Sequence, residues 1–230
     1  MTTSAGSDKC DAPKRIAAWI AATTPEGTAV AVDRIGPSAA FDAGEEAAIA
    51  RAVARRRDEF TTGRRLAREA LARLGCVATS LPPDSDRVPR WPEGFVGTIS
   101  HAGGLCVALV GRARNLVGIG IDIEETARLQ PGLTPLICRP DEIDLDETGG
   151  TVDQTLLRFV AKEAFFKAYF PTTRAFLGFQ DVRVAVNPAS DHFKARLMEP
   201  RRPSLYGART FLGRFATLGS HIVAVAWIAR

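Results

Sequence analysis

The chain has 230 residues, 46% of them hydrophobic and 24% charged, which excludes a disordered chain, a collagen and a coiled coil. A fold of this length buries about 70–75% of the surface its unfolded chain exposes, so it needs no disulfide or zinc staple. The net charge is +4, with 25 Arg and five Lys mixed among 26 acidic residues; the mixture argues against a nucleic-acid coat, while the excess of Arg suits forked binding of phosphate or carboxylate.

Residues 1–15 are polar and are expected to fray. Lys14-Arg15 followed by Ile16 to Ala22 is a weak match to a secretory signal, with an apolar part at the short limit. Residues 16–32 read as one early strand or short helix. Gly44 to Gly75 reads as helical with an interruption near Phe60 to Gly63, and Leu66, Ala67, Ala70, Leu71 and Leu74 form its apolar stripe. Pro82, Pro83, Pro89 and Pro92 mark a long loop. Three strands follow: Phe95 to His101, Leu105 to Val110 after the Gly103-Gly104 turn, and Leu116 to Glu124.

The polar stretch 127–150 reads as a linker, which divides the chain into an N-terminal half at 16–126 and a C-terminal half at 151–230. A helix is expected over Thr151 to Phe170, stopped by Pro171. Strands are expected at Asp181 to Val186, His192 to Leu197, and Arg209 to Trp227 with a break around Gly219. Each half is therefore a long helix with a small antiparallel sheet, an α+β plan. Ser100-His101 and Ser220-His221 both lead into apolar strands, a faint hint of duplication. The longest apolar run, 222–229, is too short for a membrane helix. Four scattered cysteines without a C-x-x-C suit reduced thiols, and the expected location is cytoplasmic.

Four constellations carry chemistry. In Val117 to Glu124, alternation puts Gly118, Gly120, Asp122 and Glu124 on one strand face. The glycines are expected to leave space beside two carboxylates about 6.6–6.8 Å apart at Cα. Oxygen ligands without His or Cys favour Mg²⁺, and the alternative is a solvated strand end. In Phe159 to Lys167, Glu163 and Lys167 share a helix face, and Glu163 shares a stripe with Leu156, Phe159, Val160, Phe166 and Phe170. A carboxylate on an apolar stripe needs compensation by a metal or a Lys. Ser100-His101 sits before a glycine turn, where an imidazole can reach a phosphate; a structural His is the alternative. In 55–68 the Arg residues offer a phosphate clamp or a solvated basic face, with Arg64 and Arg68 clear of the Leu stripe and Arg65 able to pair with Glu69. Asp144-x-Asp146 opens like a calcium loop but lacks the closing acid, and His221 reads as structural.

The order R-R-R-D-E-F-x-x-G-R-x-x-A-R at 55–68, R-W-P near 90, I-S-H at 99–101, G-I-D-I-E at 120–124 and F-x-A-K-E-A-x-x-K-A at 159–168 resembles the 4′-phosphopantetheinyl transferases of the surfactin-synthetase type, especially the enterobactin-synthetase component D branch. The resemblance implies a pseudo-twofold, pseudo-dimeric α+β enzyme with its active site between the halves. It implies transfer of the phosphopantetheine arm of coenzyme A to a serine of an apo acyl, polyketide or peptidyl carrier, with release of adenosine 3′,5′-bisphosphate. It implies Mg²⁺, with Mn²⁺ able to substitute, on Asp122, Glu124 and Glu163. Lys162 and Lys167 would hold phosphate oxygens, and Ser100 and His101 would contact coenzyme A phosphates. Arg56, Arg64 and Arg87 would bind the 3′-phosphate; Glu163, directly or through water, is the candidate general base, with a Mg²⁺-bound water as the alternative. A monomer serving carrier proteins, with neither nucleic acid nor membrane as partner, is the expectation. A non-catalytic nucleotide- or carrier-binding module and a Mg²⁺-dependent pyrophosphate hydrolase are the competing readings.

Overall fold

A computed structural model describes residues 5–77, 79–127, 129–143, 153–187, 190–200 and 202–230. The chain divides into two compact units, one running to Val117 and taking back Arg230, the other spanning Gly118–Ala229.

The first unit opens with α1 (Ala5–Thr23) and β1 (Thr28–Arg34). The polar start is thus helical from residue 5 rather than frayed, and its Ile16 and Ile20 are fully buried. Next come α2 (Ala43–Ile49), α3 (Ala54–Arg73), β2 (Phe95–Ala102) and β3 (Leu105–Arg112), with a sheet order β1-β3-β2. Both pairings are antiparallel, with Val30 opposite Leu109 and Ile99 opposite Ala108. The helical break falls at 50–53, and α3 runs straight through 60–63. Two contacts stabilise that stretch: Thr61 returns its hydroxyl to Arg57 O, and Thr62 gives its own to Gly36 O. Leu66, Ala67, Ala70 and Leu71 form the core with Ala31, Ala108 and Val110. Gly103 and Gly104 both have positive φ (56° and 76°), the requirement of the tight β2–β3 turn.

The second unit holds β4 (Leu116–Glu125, entering it at Gly118), α4 (Thr134–Ile137), α5 (Pro140–Ile143) and α6 (Gln154–Thr173). Strands β5 (Val182–Asn187), β6 (His192–Leu197), β7 (Thr210–Leu218) and β8 (His221–Ala229) complete it. Its sheet runs β4-β8-β7-β6-β5. The sequence division at 126/127 therefore fails for a physical reason. β4 hydrogen-bonds to β8, and Thr126 N donates to Ser220 O (2.9 Å), so the strand belongs with the later chain. Residues 129–143 of the expected linker also belong to this unit; residues 144–152, including the calcium-loop lookalike and the expected helix start, lie outside the described residues. Asp153 caps α6, its Oδ1 accepting from Thr155 N and Leu156 N. Pro171 lies inside the last turn instead of stopping the helix, which ends at Arg174 in the left-handed region (φ 55°).

The glycines of β4 do something other than leave space. A Cβ on Gly118 would sit 2.0 Å from Ala168 O, and one on Gly120 would sit 1.9 Å from Ala164 O. The gap is filled by the backbone of α6. Among the described residues no helix is long and apolar enough to cross a membrane.

Gly120→Ala is therefore expected to push α6 off β4. The cost should be at least about 1–3 kcal/mol, as for overpacked cores, which corresponds to a fall in Tm of roughly 3–10 °C. An unchanged melting curve by circular dichroism would contradict the close approach.

Candidate active site

The second unit brings together Asp122, Glu124, Glu163 and Lys167. Asp122 is 4% exposed, and its Oδ1 accepts from Lys167 Nζ at 2.6 Å. Glu163 lies one helical turn before Lys167 on α6. It borders a recess of about 300 Å³ walled by Phe166, Phe176, Leu177 and Phe179. Its stripe is the flank of the helix: the fully buried positions are Val160, Ala161, Ala164, Phe165, Ala168 and Tyr169. Burial raises the Glu163 carboxyl above the ordinary carboxylate range, and Asp122 adds to this while Lys167 opposes it. Glu124 is pushed up to about 7 by burial and by Asp122, with Lys167 opposing and Glu163 and Glu125 adding.

Three carboxylates thus act on one another across a single ammonium. That charge excess and an all-oxygen donor set fit a hard divalent cation. Among the described residues no three His, Cys, Asp or Glu side chains stand close enough to make a closed ligand set. The fit is one of charge and chemistry.

Lys162 is not available to phosphate. Its Nζ donates to Ile137 O (2.7 Å), Glu142 Oε2 (2.7 Å) and Phe179 O (2.9 Å), and the residue is 3% exposed. An ammonium has three donors, and all are used. Glu142, fully buried, also accepts from Arg139 N and Val184 N. Burial pulls the Lys162 pKa down while Glu142 opposes the fall. The pair ties α5, α6 and β5 together. The expectation of a phosphate ligand at Lys162 is therefore corrected.

The first unit gathers Arg56, Arg64 and His101. Arg56 Nη1 donates to His101 Nε2 (3.3 Å), because a guanidinium has no acceptor. Glu59 Oε2 lies 3.4 Å from Arg56 Nη1 and 3.6 Å from His101 Nε2. Burial raises the Glu59 carboxyl, yet Arg55, His101 and Arg56 together hold it below its ordinary value. Arg64 is not on a solvated face. It is 6% exposed, its Nε donates to Leu81 O at 2.6 Å, and its guanidinium lies over the Phe60 ring. Burial lowers its pKa to about 10; Glu45 opposes this, and Arg56 and Arg68 add to it. Arg68 pairs with buried Glu45 at 2.6 Å.

Two expected ligands stand apart. Ser100 is buried on the opposite face of β2 from His101, because Ile99 and His101 both face α3 and strand side chains alternate. Arg87 is exposed at the tip of a turn, with φ 66°, where Asp84 O accepts from its N–H. His221 is 5% exposed in the sheet, as its structural reading anticipated. The sequence reading singled out neither Glu45 nor Glu142. The signal for Glu59 is its i,i+4 and i,i+3 spacing from Arg55 and Arg56, both of which donate to it.

Residues 44–111 match the model of the 4′-phosphopantetheinyl transferase N-terminal domain, and residues 118–226 match that of the 4′-phosphopantetheinyl transferase superfamily. The chain is 39% identical to 4′-phosphopantetheinyl transferase Svp of Streptomyces mobaraensis, over 79% of this chain and 76% of that one. It is 37% identical to 4′-phosphopantetheinyl transferase PptT of Mycobacterium tuberculosis, over 65% and 67%. It is 28% identical to enterobactin synthase component D of Salmonella typhi, over 74% and 71%. The chain belongs to the 4′-phosphopantetheinyl transferase superfamily. It is an enzyme of that class, a 4′-phosphopantetheinyl transferase.

If Lys162 is structural, Lys162→Met strands the buried Glu142 carboxylate and should cost about 3–5 kcal/mol. Urea denaturation is expected to show that loss. A stable variant whose only defect is a raised KM would restore Lys162 to the phosphate site.

Proposed function

We propose that the enzyme transfers the 4′-phosphopantetheine group of coenzyme A to a serine of an apo acyl, polyketide or peptidyl carrier, with Mg²⁺, releasing adenosine 3′,5′-bisphosphate. The observation that carries this reading is the grouping of Asp122, Glu124 and Glu163 around Lys167, where carboxylates exceed the one ammonium.

The serine oxygen attacks the β-phosphorus of the donor, the bond to the bridging oxygen breaks, and the 5′-phosphate leaves with the electron pair. Asp122, Glu124 and Glu163 would hold the cation, which when bound supplies charge neutralisation to the diphosphate and its leaving group. Lys167 offers an ammonium beside the same carboxylates for phosphate oxygens. Burial and Asp122 raise the proton affinity of Glu163, and its ionised carboxylate, which the Lys167 ammonium favours, is the form that would take the serine proton, directly or through a water. Arg56, Arg64 and His101 are the groups proposed to recognise the coenzyme A phosphates, the 3′-phosphate among them, while Arg87 is exposed on a separate turn. Among these, Arg64 is pre-fixed by Leu81 O and Phe60. The absence of interleaved aromatics on the exposed Arg residues of α3 weighs against nucleic acid.

Incubation with coenzyme A, Mg²⁺ and an apo carrier should add roughly 340 Da to the carrier by mass spectrometry. Asp122→Asn and Glu163→Gln should each lower turnover more than about 100-fold with little change in Tm, since electrostatic groups at phosphoryl-transfer sites contribute on this scale. Millimolar Mg²⁺ should raise the Tm of the parent protein and not that of Asp122→Asn. Near-parental turnover in either variant would remove that residue from the reaction.

A further inference from the structure

Glu45 has no part in the scheme so far, yet it is fully buried and makes three contacts. Its Oε1 accepts from Arg68 Nη1 (2.6 Å) and from Leu81 N (2.9 Å), and its Oε2 accepts from Phe41 N (3.1 Å). The backbone of Leu81 is therefore held from both sides. Its N–H goes to Glu45, and its carbonyl takes the Nε–H of Arg64 at 2.6 Å. Two rings complete the arrangement, with Phe60 under the Arg64 guanidinium and Phe41 under that of Arg68.

We propose that Glu45 is a positioning residue for donor recognition: by fixing Leu81 and engaging Arg68, its carboxylate sets Arg64 so that the two terminal amino groups of Arg64 face the 3′-phosphate. This rests on the reading of Arg64 given above. Those amino groups take no hydrogen-bond partner among the described residues, whereas Nε is committed to Leu81. A guanidinium can divide its work in this way because its five N–H groups point in fixed directions. Glu45 also supplies the carboxylate that offsets Arg56 and Arg68 around the buried Arg64. Packing alone does not explain a carboxylate here, since replacing a buried ion pair by apolar residues is often neutral or stabilising.

The test compares coenzyme A with dephospho-coenzyme A as donors. The parent enzyme should show a lower KM for coenzyme A. In Glu45→Gln the KM for coenzyme A should rise about ten-fold with kcat within two-fold, and the KM for dephospho-coenzyme A should stay within two-fold. Discrimination between the donors then collapses. A purely structural role for Glu45 predicts equal losses with both donors, and that outcome overturns the proposal, as does full discrimination retained in the variant. A parent enzyme that does not discriminate, or does not transfer, would instead defeat the reading of Arg64 or of the activity. If Glu45→Gln does not fold, Glu45→Asp takes its place: it keeps the charge but is one methylene too short to span Leu81 and Arg68, and the same two criteria decide.

Discussion

The close approach of α6 to β4 governs the placement of the acidic cluster in the second unit. At Gly118 and Gly120 a single carbon would collide with the helix carbonyls of Ala168 and Ala164. Because strand residues alternate, the face that admits the helix backbone continues into Asp122 and Glu124. The helix that lies on those glycines carries Glu163 and Lys167 at its flank, and the contact brings Lys167 Nζ to 2.6 Å from Asp122 Oδ1. A side chain at either glycine would widen the gap and move Glu163 and Lys167 away from Asp122 and Glu124.

The two lysines of α6 show how placement divides one residue type between structure and chemistry. Lys162 has a 2% exposed side chain and spends all three donors on one carboxylate and two carbonyls. Lys167, five residues on, has a 27% exposed side chain and meets an acidic group that remains in excess. Burial with complete satisfaction makes a brace. Partial exposure beside surplus negative charge makes a group able to meet a ligand.

Local periodicity made part of this legible. The two-residue repeat of β4 put Asp122 and Glu124 on one face, and the four-residue repeat of α6 paired Glu163 with Lys167. The apolar stripe of α3 was readable for the same reason. What required long-range contact was not readable. The partner of β4 is a strand about one hundred residues later, so the half-boundary was misplaced. The glycines read as space because α6 could not be seen lying on them. Lys162 read as a ligand because Glu142 comes from a short helix inside an apparent linker. For Arg64 the sequence left a phosphate clamp and a solvated basic face both open, because Leu81 and Glu45, which fix its surroundings, lie elsewhere in the chain.

The preference for Arg over Lys in this chain, 25 to five, has a concrete meaning in the first unit. In the proposed role, Arg64 is held firmly in a buried place and still offers donors to an anion. A lysine there would draw both tasks from one small ammonium and, at this depth, would readily lose its proton. The guanidinium stays charged even with its pKa lowered to about 10, lies flat on Phe60, and separates the Nε that binds Leu81 from the amino groups that remain. Desolvation then becomes useful, because a fixed cation with little competing water attracts phosphate more strongly than a hydrated one. The burial that takes Arg64 off the solvated face is, in the proposed role, what would suit it to hold an anion.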